Sequence, residues 1–531
     1  MIKNMDVHKV FADYFKGNEA LAYGLSSALG EGSICLDTNR YISAMEQSAT
    51  PAEGNPFWQS ADHFREQMKE GRFVTNDPAG LKPFIVLDSR VYLQRYYYYE
   101  TRIIENIRLL GDAFKIITGG PGTGKTFSVG KKLVKLFGKN PDQQVALAAP
   151  TGKAAARMEE AIRDFTKNNT DKISGEIPGK LKALHAQTIH HLLGYIPNSV
   201  FFRHNRENPL PFDVLVIDEA SMIDGAMMAK LLDATGDNTQ LYLIGDKDQL
   251  ASVEAGSVFG DICRAKDADM LKDKVEIKKT VYRTGGVEII PFSKKIIEGD
   301  TDFVLGYKNN DEVIIDKPAD GKYSETLFKK EVAGYSKYIE AEKVKDALNL
   351  LNNVRVLCVT REHDHSVAET NKRIEKILSE KYKGTSLFSP KAGFYHNQPI
   401  IITQNDKDLG LNNGDVGLIR HDGNGYVAYF EDAQAEGGVK THQAGYLNHY
   451  DTVFAMTIHK SQGSEFENVV VLLPEKRAQK LLTRELLYTA VTRAKEKVLI
   501  QATPEVLEKC IDATVSRASG LTQRLNPEAN E

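Results

Sequence analysis

Residues Lys115–Ser128 read KIITGGPGTGKTFS, and the reading of this stretch decides the fold. Ile116 and Ile117 form an apolar strand that runs into a glycine-rich turn, and a helical pattern follows from Phe127. The turn matches G-x-x-x-x-G-K-T in full, from Gly119 to Thr126. Gly119, Gly120, Gly122 and Gly124 let the backbone aim its N–H groups inward around a polyphosphate, with Pro121 and Thr123 completing the loop. The helix that follows adds its positive N-terminal end. Lys125 is expected to reach the β- and γ-phosphates, and the Thr126 hydroxyl to hold Mg²⁺. A chance glycine-rich turn does not bring strand, eight-residue match and helix together in this order. The stretch predicts a site for ATP or GTP.

Outward from the loop, apolar strands alternate with helices, which implies a parallel sheet with its ligands at the carboxyl ends of the strands. Val214–Ile217 is one such strand, and it delivers Asp218 and Glu219 to its tip. Asp218 is placed to hold Mg²⁺, directly or through water, and Glu219 to accept a proton from the attacking water. Leu241–Ile244 leads to Gly245-Asp246-Lys247-Asp248-Gln249-Leu250, where Gln249 is expected to sense the γ-phosphate or position the water. A surface turn would read the same way from this segment alone. Transition-state charge needs cations as well, worth roughly 10³–10⁵ in rate. Arg283, in VYR just past the first α/β core, and Arg493, in YTAVTRA of a second, are the candidates. One arginine from each core would make the nucleotide a clamp between them.

At 531 residues the chain is expected to form about three or four domains. Residues 1–105 read as a helical domain, with Val7, Val10, Phe11, Tyr14 and Phe15 at helical spacing and a short strand pair at 84–93. The tyrosine run Tyr96–Tyr99 reads as a packing face rather than a stacking platform for bases. The first α/β core spans 106–285 and the second 286–531, with a small β-barrel inserted at about 395–452. The tail after Ser516 is polar and reads as disordered. A net charge of -4 gives no global basic signature, so any nucleic acid must bind in a local groove. Cys35, Cys263, Cys358 and Cys510 are widely spaced and read as buried, reduced thiols of a cytoplasmic protein, not as zinc or iron–sulfur ligands. The N-terminus lacks a secretory apolar run, and the longest aliphatic stretch, Val469–Leu473, is far short of the roughly 20 residues that span a bilayer.

Three further segments place small hydroxyls and cations near strand ends: Thr151 to Lys153 in PTGK, His190 in TIHH, and Thr457, His459 and Lys460 in TIHKSQG. Each alone reads as a structural turn or cap. Around one nucleotide site, as a set, they favour a sequence-blind path for single-stranded nucleic acid.

GGPGTGKT, APTGKAAARM, TIHHLLG, VLVIDEASMID, IGDKDQLASVEAGSV, LNNGDVG, AMTIHKSQGSEF and ELLYTAVTRAKE together resemble the ordered motifs of superfamily 1 helicases. GEGSICL near the start and SRASGL near the end extend the likeness to the RecD group, the alpha subunits of exodeoxyribonuclease V within superfamily 1B. The resemblance implies two RecA-like motor domains, a partner-docking N-terminal domain and an SH3-like inserted barrel. It implies a 5′-to-3′ DNA helicase that uses ATP and Mg²⁺ on single-stranded and duplex-end DNA. The partners it implies are RecB-like and RecC-like subunits, in a complex that processes double-strand breaks for recombinational repair. It implies a duplex-splitting hairpin at about 194–212. It also carries Lys125, Thr126, Asp218, Glu219, Gln249, Arg283 and Arg493 as ATPase residues, and Thr151, Lys153, His190, Thr457, His459 and Lys460 as strand contacts. One departure stands out. The glutamine that such helicases carry just upstream of the phosphate loop is missing, and the nearest, Gln94, precedes the tyrosines. Adenine selectivity is then left to packing or to another residue. The sequence shows no spaced Asp, Glu and Lys cluster of a metal nuclease, which assigns nuclease chemistry to a partner chain. A stand-alone helicase or plasmid-transfer motor would be expected to add a helix-hairpin-helix array or a relaxase histidine cluster. An ATP-gated scaffold would need neither Glu219 nor Arg493.

Overall fold

The computed structural model describes residues 6–282, 285–383, 393–432, 435–476 and 478–526. The chain divides into two compact units. The first takes in the chain up to residue 247, then 251–280 and the C-terminal segment from Ser516; the second takes in 248–250 and 281–515.

In the first unit, helices Val7–Ala12, Glu19–Gly30, Thr38–Gln47 and Ala61–Gln67 accompany a four-stranded sheet. Its strands are β1 (Cys35–Asp37), β2 (Val74–Thr75), β3 (Phe84–Leu87) and β4 (Arg90–Leu93), in the order β1-β4-β3-β2. The strand pair predicted at 84–93 is present as β3 and β4, and β1 and β2, which the sequence reading leaves out, extend it to a sheet, so the region is mixed. β1 and β2, at three and two residues, are too short to show a period-2 pattern. Nor does the chain break near 105, because helix Gln94–Leu110 runs straight through that point. Arg102 on this helix donates to the Asp233 carboxylate through Nε (2.9 Å) and Nη2 (2.5 Å), tying it to helix Gly225–Ala234. The tyrosine run forms the first turns of the same helix; Tyr97 is buried and meets Tyr92 edge-on, as packing requires.

A second sheet of this unit follows: β5 (Phe114–Gly119), β6 (Val145–Ala149), β7 (Ala186–Thr188), β8 (Val214–Ile217), β9 (Gln240–Gly245) and β10 (Val275–Lys278). All ladders are parallel, in the order β10-β5-β9-β8-β6-β7. Helices cover both faces, so the central strands are apolar runs, whereas β7 and β10 are half-exposed edges whose polar residues hide them from a hydrophobicity reading.

The second unit begins with β11 (Val313–Asp316), β12 (Val354–Cys358), β13 (Gln398–Ile402), β14 (Val416–His421) and β15 (Tyr426–Glu431). It continues with β16 (Val439–Gln443), β17 (Tyr450–Thr452), β18 (Ala455–Thr457), β19 (Phe466–Leu472) and β20 (Ala494–Gln501). Five of these form a second parallel sheet, β11-β20-β19-β12-β18, and the other five an antiparallel sheet, β16-β15-β14-β13-β17. The antiparallel sheet lies where the sequence predicts a barrel; among the described residues no ladder joins its edges β16 and β17. The polar tail, read as disordered, is instead folded as part of the first unit as far as Asn526, with Leu521 and Leu525 of a short helix buried.

Candidate functional site

The phosphate loop is shaped by close approaches. Gly119 ends β5 beside Lys278 of β10, and a Cβ there would stand 2.6 Å from the Lys278 carbonyl oxygen. Gly122 and Gly124 have φ of 70° and 71°, the left-handed region that glycine enters without strain. The Thr123 hydroxyl donates to the Gly120 carbonyl (2.7 Å), and the Lys125 ammonium donates to the carbonyls of Gly119 (2.6 Å) and Gly120 (3.1 Å). The cation is thereby held at the loop, at the start of helix Lys125–Lys139. Phe127 follows at its first turn and leans edge-on against Phe165.

At the tip of β8, Asp218 N donates to the Ala148 carbonyl on β6 (2.9 Å), and Glu219 N donates to Asp218 Oδ1 (2.8 Å). Glu219 has φ 51° and ψ 38°. A non-glycine residue held there costs about 1–3 kcal/mol, and such strain gathers at functional sites. Burial, and after it the charge of Glu219, push the Asp218 carboxyl up to about 6, while Lys125 and Arg157 pull the other way. The Asp218 carboxylate and the Thr126 hydroxyl are oxygen donors of the kind a hard divalent cation takes, so these residue types fit Mg²⁺.

Gln249 lies on a three-residue segment, Asp248–Leu250, that belongs to the second unit. There Leu250 N donates to Thr489 Oγ1 (2.9 Å) and Leu250 O accepts from Gln462 Nε2 (2.8 Å). Arg493 meets the same helix, Arg484–Val491: its Nε donates to the Thr489 carbonyl (3.2 Å) and its Nη1 to the Ser464 carbonyl (3.1 Å). Leu250 and Arg493 therefore meet at Thr489, with Gln462 bonded to Leu250, an arrangement the sequence does not reveal. Arg283 lies outside the described residues.

The predicted strand contacts fall into two groups. In the first unit, Thr151 caps helix Gly152–Asn168 by accepting from Ala154 N (3.2 Å), and Lys153 is exposed in its first turn. His190 is exposed and meets the rings of Tyr195 (6.4 Å) and Phe202 (5.7 Å) edge-on. Both rings come from the 194–212 segment, where Tyr195 and Phe202 form an antiparallel bridge and Val200 and Phe201 stand exposed. In the second unit, Thr457 ends β18 and accepts from Lys460 N (3.2 Å), with His459 between them in a single 3₁₀ turn.

Thr457 and Lys460 line a cleft of about 410 Å³ whose other cations are Arg361 and Lys372. Burial, and then repulsion from Arg361, hold the Lys460 ammonium below the ordinary lysine value, against the pull of Asp451. Among the described residues neither Arg361 nor Lys372 has an ion pair or side-chain hydrogen bond, and the three cations share the cleft with the carboxylates Glu362, Glu375 and Asp451. Asn371, at the base, has its side chain committed to the backbone of Thr452, Phe454 and Ala455. Sequence reasoning missed Arg361 and Lys372 because they are eleven residues apart and come to one cleft with Thr457 and Lys460 only in the fold. Arg157 was visible inside APTGKAAARM, but its proximity to Asp218 was not.

Comparison with known proteins follows this geometry. An AAA domain model matches residues 104–255, and a UvrD-like helicase C-terminal domain model matches 452–500. The RecBCD enzyme subunit RecD of Mycobacterium tuberculosis is 38% identical, over 78% of this chain and 71% of its own. Among solved structures, Bacteroides Pif1 bound to ssDNA aligns with a TM-score of 0.38 at 16% identity, covering 76% of this chain and 93% of that one. The RecBCD enzyme subunit RecD of Mycolicibacterium smegmatis is 33% identical over 99% of this chain and 98% of its own length, and on that match the chain belongs to the RecD family.

Proposed function

We propose that the chain is an ATP-dependent, 5′-to-3′ DNA helicase that serves as the alpha subunit of a RecBCD-type complex, acting on duplex ends in the cytoplasm. The observation that carries the motor reading is the bonding around Thr489. Leu250 and the arginine of YTAVTRA both bond Thr489, and the glutamine of TIHKSQG bonds Leu250, so these three segments form one hydrogen-bonded chain.

In this reading the loop N–H groups and Lys125 hold the β- and γ-phosphates. Thr126 and Asp218 hold Mg²⁺, which when bound neutralises phosphate charge. Glu219, fixed in its strained backbone conformation, orients the attacking water and takes its proton. Gln249 lies next to Leu250 and follows the movement of Thr489, and Arg493 and Arg283 supply cationic charge to the transferring phosphoryl group. Thr151, Lys153 and His190 in one core, and Thr457, His459 and Lys460 in the other, hold the strand by its phosphates. Arg361 and Lys372 extend the second set. The exposed Val200 and Phe201 suit a wedge at the fork, and the exposed Val7, Val10 and Tyr14 suit docking on RecB-like and RecC-like partners.

Lys125→Gln tests the reading. It removes the cation while keeping an amide that can donate to the Gly119 and Gly120 carbonyls. DNA-stimulated ATP hydrolysis is expected to disappear with the circular dichroism and melting temperature unchanged. Turnover at the wild-type rate in a folded variant would falsify the assignment.

A further inference from the structure

Packing, which the sequence predicts for the whole tyrosine run, accounts for one of its four rings. Tyr97 turns inward, buried beside Tyr92, with the Arg524 guanidinium carbon 4.2 Å from its ring centre. Its neighbours do not follow it. Arg95, Tyr98 and Tyr99 recur at the spacing that shares one face of helix Gln94–Leu110. Arg95 is exposed, Tyr98 is 49% exposed, and Tyr96 and Tyr99 are half-buried. These groups hold one another in place. The Tyr99 ring meets Tyr96 edge-on at 6.1 Å and lies tilted at 6.4 Å from Tyr98, and the Arg95 guanidinium carbon stands 5.5 Å from the Tyr96 ring centre.

Within the same unit this surface is continuous with the 194–212 hairpin by way of helix Gly225–Ala234. Lys230, on that helix, sets its ammonium 5.5 Å from the Phe202 ring centre, and His190 meets the same ring edge-on. Burial holds Lys230 below the ordinary lysine value, while Asp224 draws it up and Arg95 pushes it down, so the two cations feel each other. Asp224 also faces Tyr99 and His190. Its carboxylate is committed to the start of the helix, accepting from Met227 N (2.8 Å). Tyr98 stands near Arg102, whose charge is answered by Asp233 and Glu105. Among the described residues neither Arg95 nor Lys230 has an ion pair. Fixed, partly open rings with two such cations suit a polyanion that carries π-faces. Bases stack on aromatic rings whatever their sequence, arginine adds a cation–π contribution, and ammonium groups hold phosphates.

We propose that Arg95, Tyr96, Tyr98, Tyr99 and Lys230 form a stacking surface for single-stranded DNA, receiving the bases of the strand beside His190 and the hairpin. This rests on the proposed helicase function and on His190 as a strand contact.

The test uses the full chain, oligo-dT carrying 5-iododeoxyuridine, and plain oligo-dT with or without a run of abasic sites. Irradiation is expected to cross-link the iodinated strand to the tryptic peptide Tyr96–Arg102. Cross-links found only elsewhere overturn the proposal. Tyr98→Ala, at an exposed position, is expected to lower affinity for oligo-dT about five- to tenfold. On the abasic oligonucleotide the same variant binds like wild type, and Tyr98→Phe, which keeps a ring, binds oligo-dT like wild type. Arg95→Ala and Lys230→Ala each lower the slope of log affinity against log salt by about 0.7. An equal loss for Tyr98→Ala on intact and abasic strands overturns the stacking role. Unchanged oligo-dT affinity in both Tyr98→Ala and Arg95→Ala, alongside a weakened Lys460→Ala, overturns the proposal and leaves the strand path standing; that is the result for a face that docks a protein instead. Wild-type chain that does not bind oligo-dT removes the strand path itself, and the proposal with it.

Discussion

Asp218→Asn should make the nucleotide-free protein more stable while destroying its activity. Burial and the neighbouring Glu219 push the Asp218 carboxyl from 3.8 up to about 6. The folded state thus holds this proton more tightly than the unfolded chain does. The sign follows: the folded state is favoured by this group below about pH 4, and the advantage is lost as pH rises through about 6. A shift of a little over two units, at about 1.36 kcal/mol each, sets an upper bound of about 3 kcal/mol above pH 6. Partial solvent contact at Asp218 brings the expected figure to about 1–2 kcal/mol. The asparagine removes the charge and keeps an oxygen to accept from Glu219 N. At pH 7.5, in chelator and without nucleotide, the variant's first unit should melt about 2–8 °C above wild type. The difference should shrink at pH 5. Asp261, likewise pushed up to about 6 by burial, titrates in the same window, so the informative quantity is variant minus wild type at each pH. Mg²⁺ with nucleotide should reverse the order, stabilising wild type and not the variant. An Asp218→Asn protein that is less stable than wild type at pH 7.5, or whose advantage is the same at both pH values, refutes the reasoning.

Other outcomes follow from the same geometry. Lys460→Ala, Arg361→Ala and Lys372→Ala should each lower the slope of log affinity for oligo-dT against log salt by about 0.7, and an unchanged slope in all three removes the cleft from the strand path. Glu100 is fully buried and accepts from Ser519 Oγ (2.9 Å), Gly520 N (3.0 Å) and Arg524 Nη1 (3.2 Å). Glu100→Ala leaves those donors without it and should cost about 3–5 kcal/mol, with limited proteolysis opening first near 516–526; cleavage elsewhere first would contradict the tail's anchoring. On partial duplexes, unwinding should require a 5′ single-stranded tail, and activity only from a 3′ tail would reverse the assigned polarity.

Much of the first motor sheet was legible because its signals are local. Strands buried on both faces appear as apolar runs, and the phosphate loop and the Asp218-Glu219 tip sit at their ends whatever the rest of the chain does. What stayed hidden is long-range or edge-like. β7 and β10 carry polar side chains because one side of each faces solvent. The tail looked unstructured because its polar groups bond to partners more than 400 positions away, such as Glu100, and only Leu521 and Leu525 supply apolar burial. Arg361 and Lys372 become a pair only when helix Val367–Lys381 lies over the mouth of β18. The site shows the same division. Lys125, Thr126, Asp218 and Glu219 could be read from spacing, while the bonds of Leu250 to Thr489 and Gln462, and of Arg493 to Thr489, depend on tertiary packing.

The second unit also fixes the connector that leads into the turn proposed to hold the strand. Between β17 and β18 the connector Thr452–Ala455 is held by three side chains: Asn371, the Tyr335 hydroxyl on the Phe454 carbonyl (2.7 Å), and Arg355 on the Val453 carbonyl. Arg355 is fully buried, lies 5.1 Å from the Phe466 ring centre, and has no carboxylate partner among the described residues. Burying an unpaired guanidinium costs several kcal/mol unless its donors are used, and an apolar side chain of similar volume would fill the space without that penalty. Stability alone therefore does not explain an arginine at this position. What the arginine adds is a directed bond to the connector that joins the antiparallel sheet to Thr457, His459 and Lys460. A connector fixed this way ties the antiparallel sheet to the Thr457–Lys460 turn, which under the proposed function would carry a displacement of the sheet to the strand.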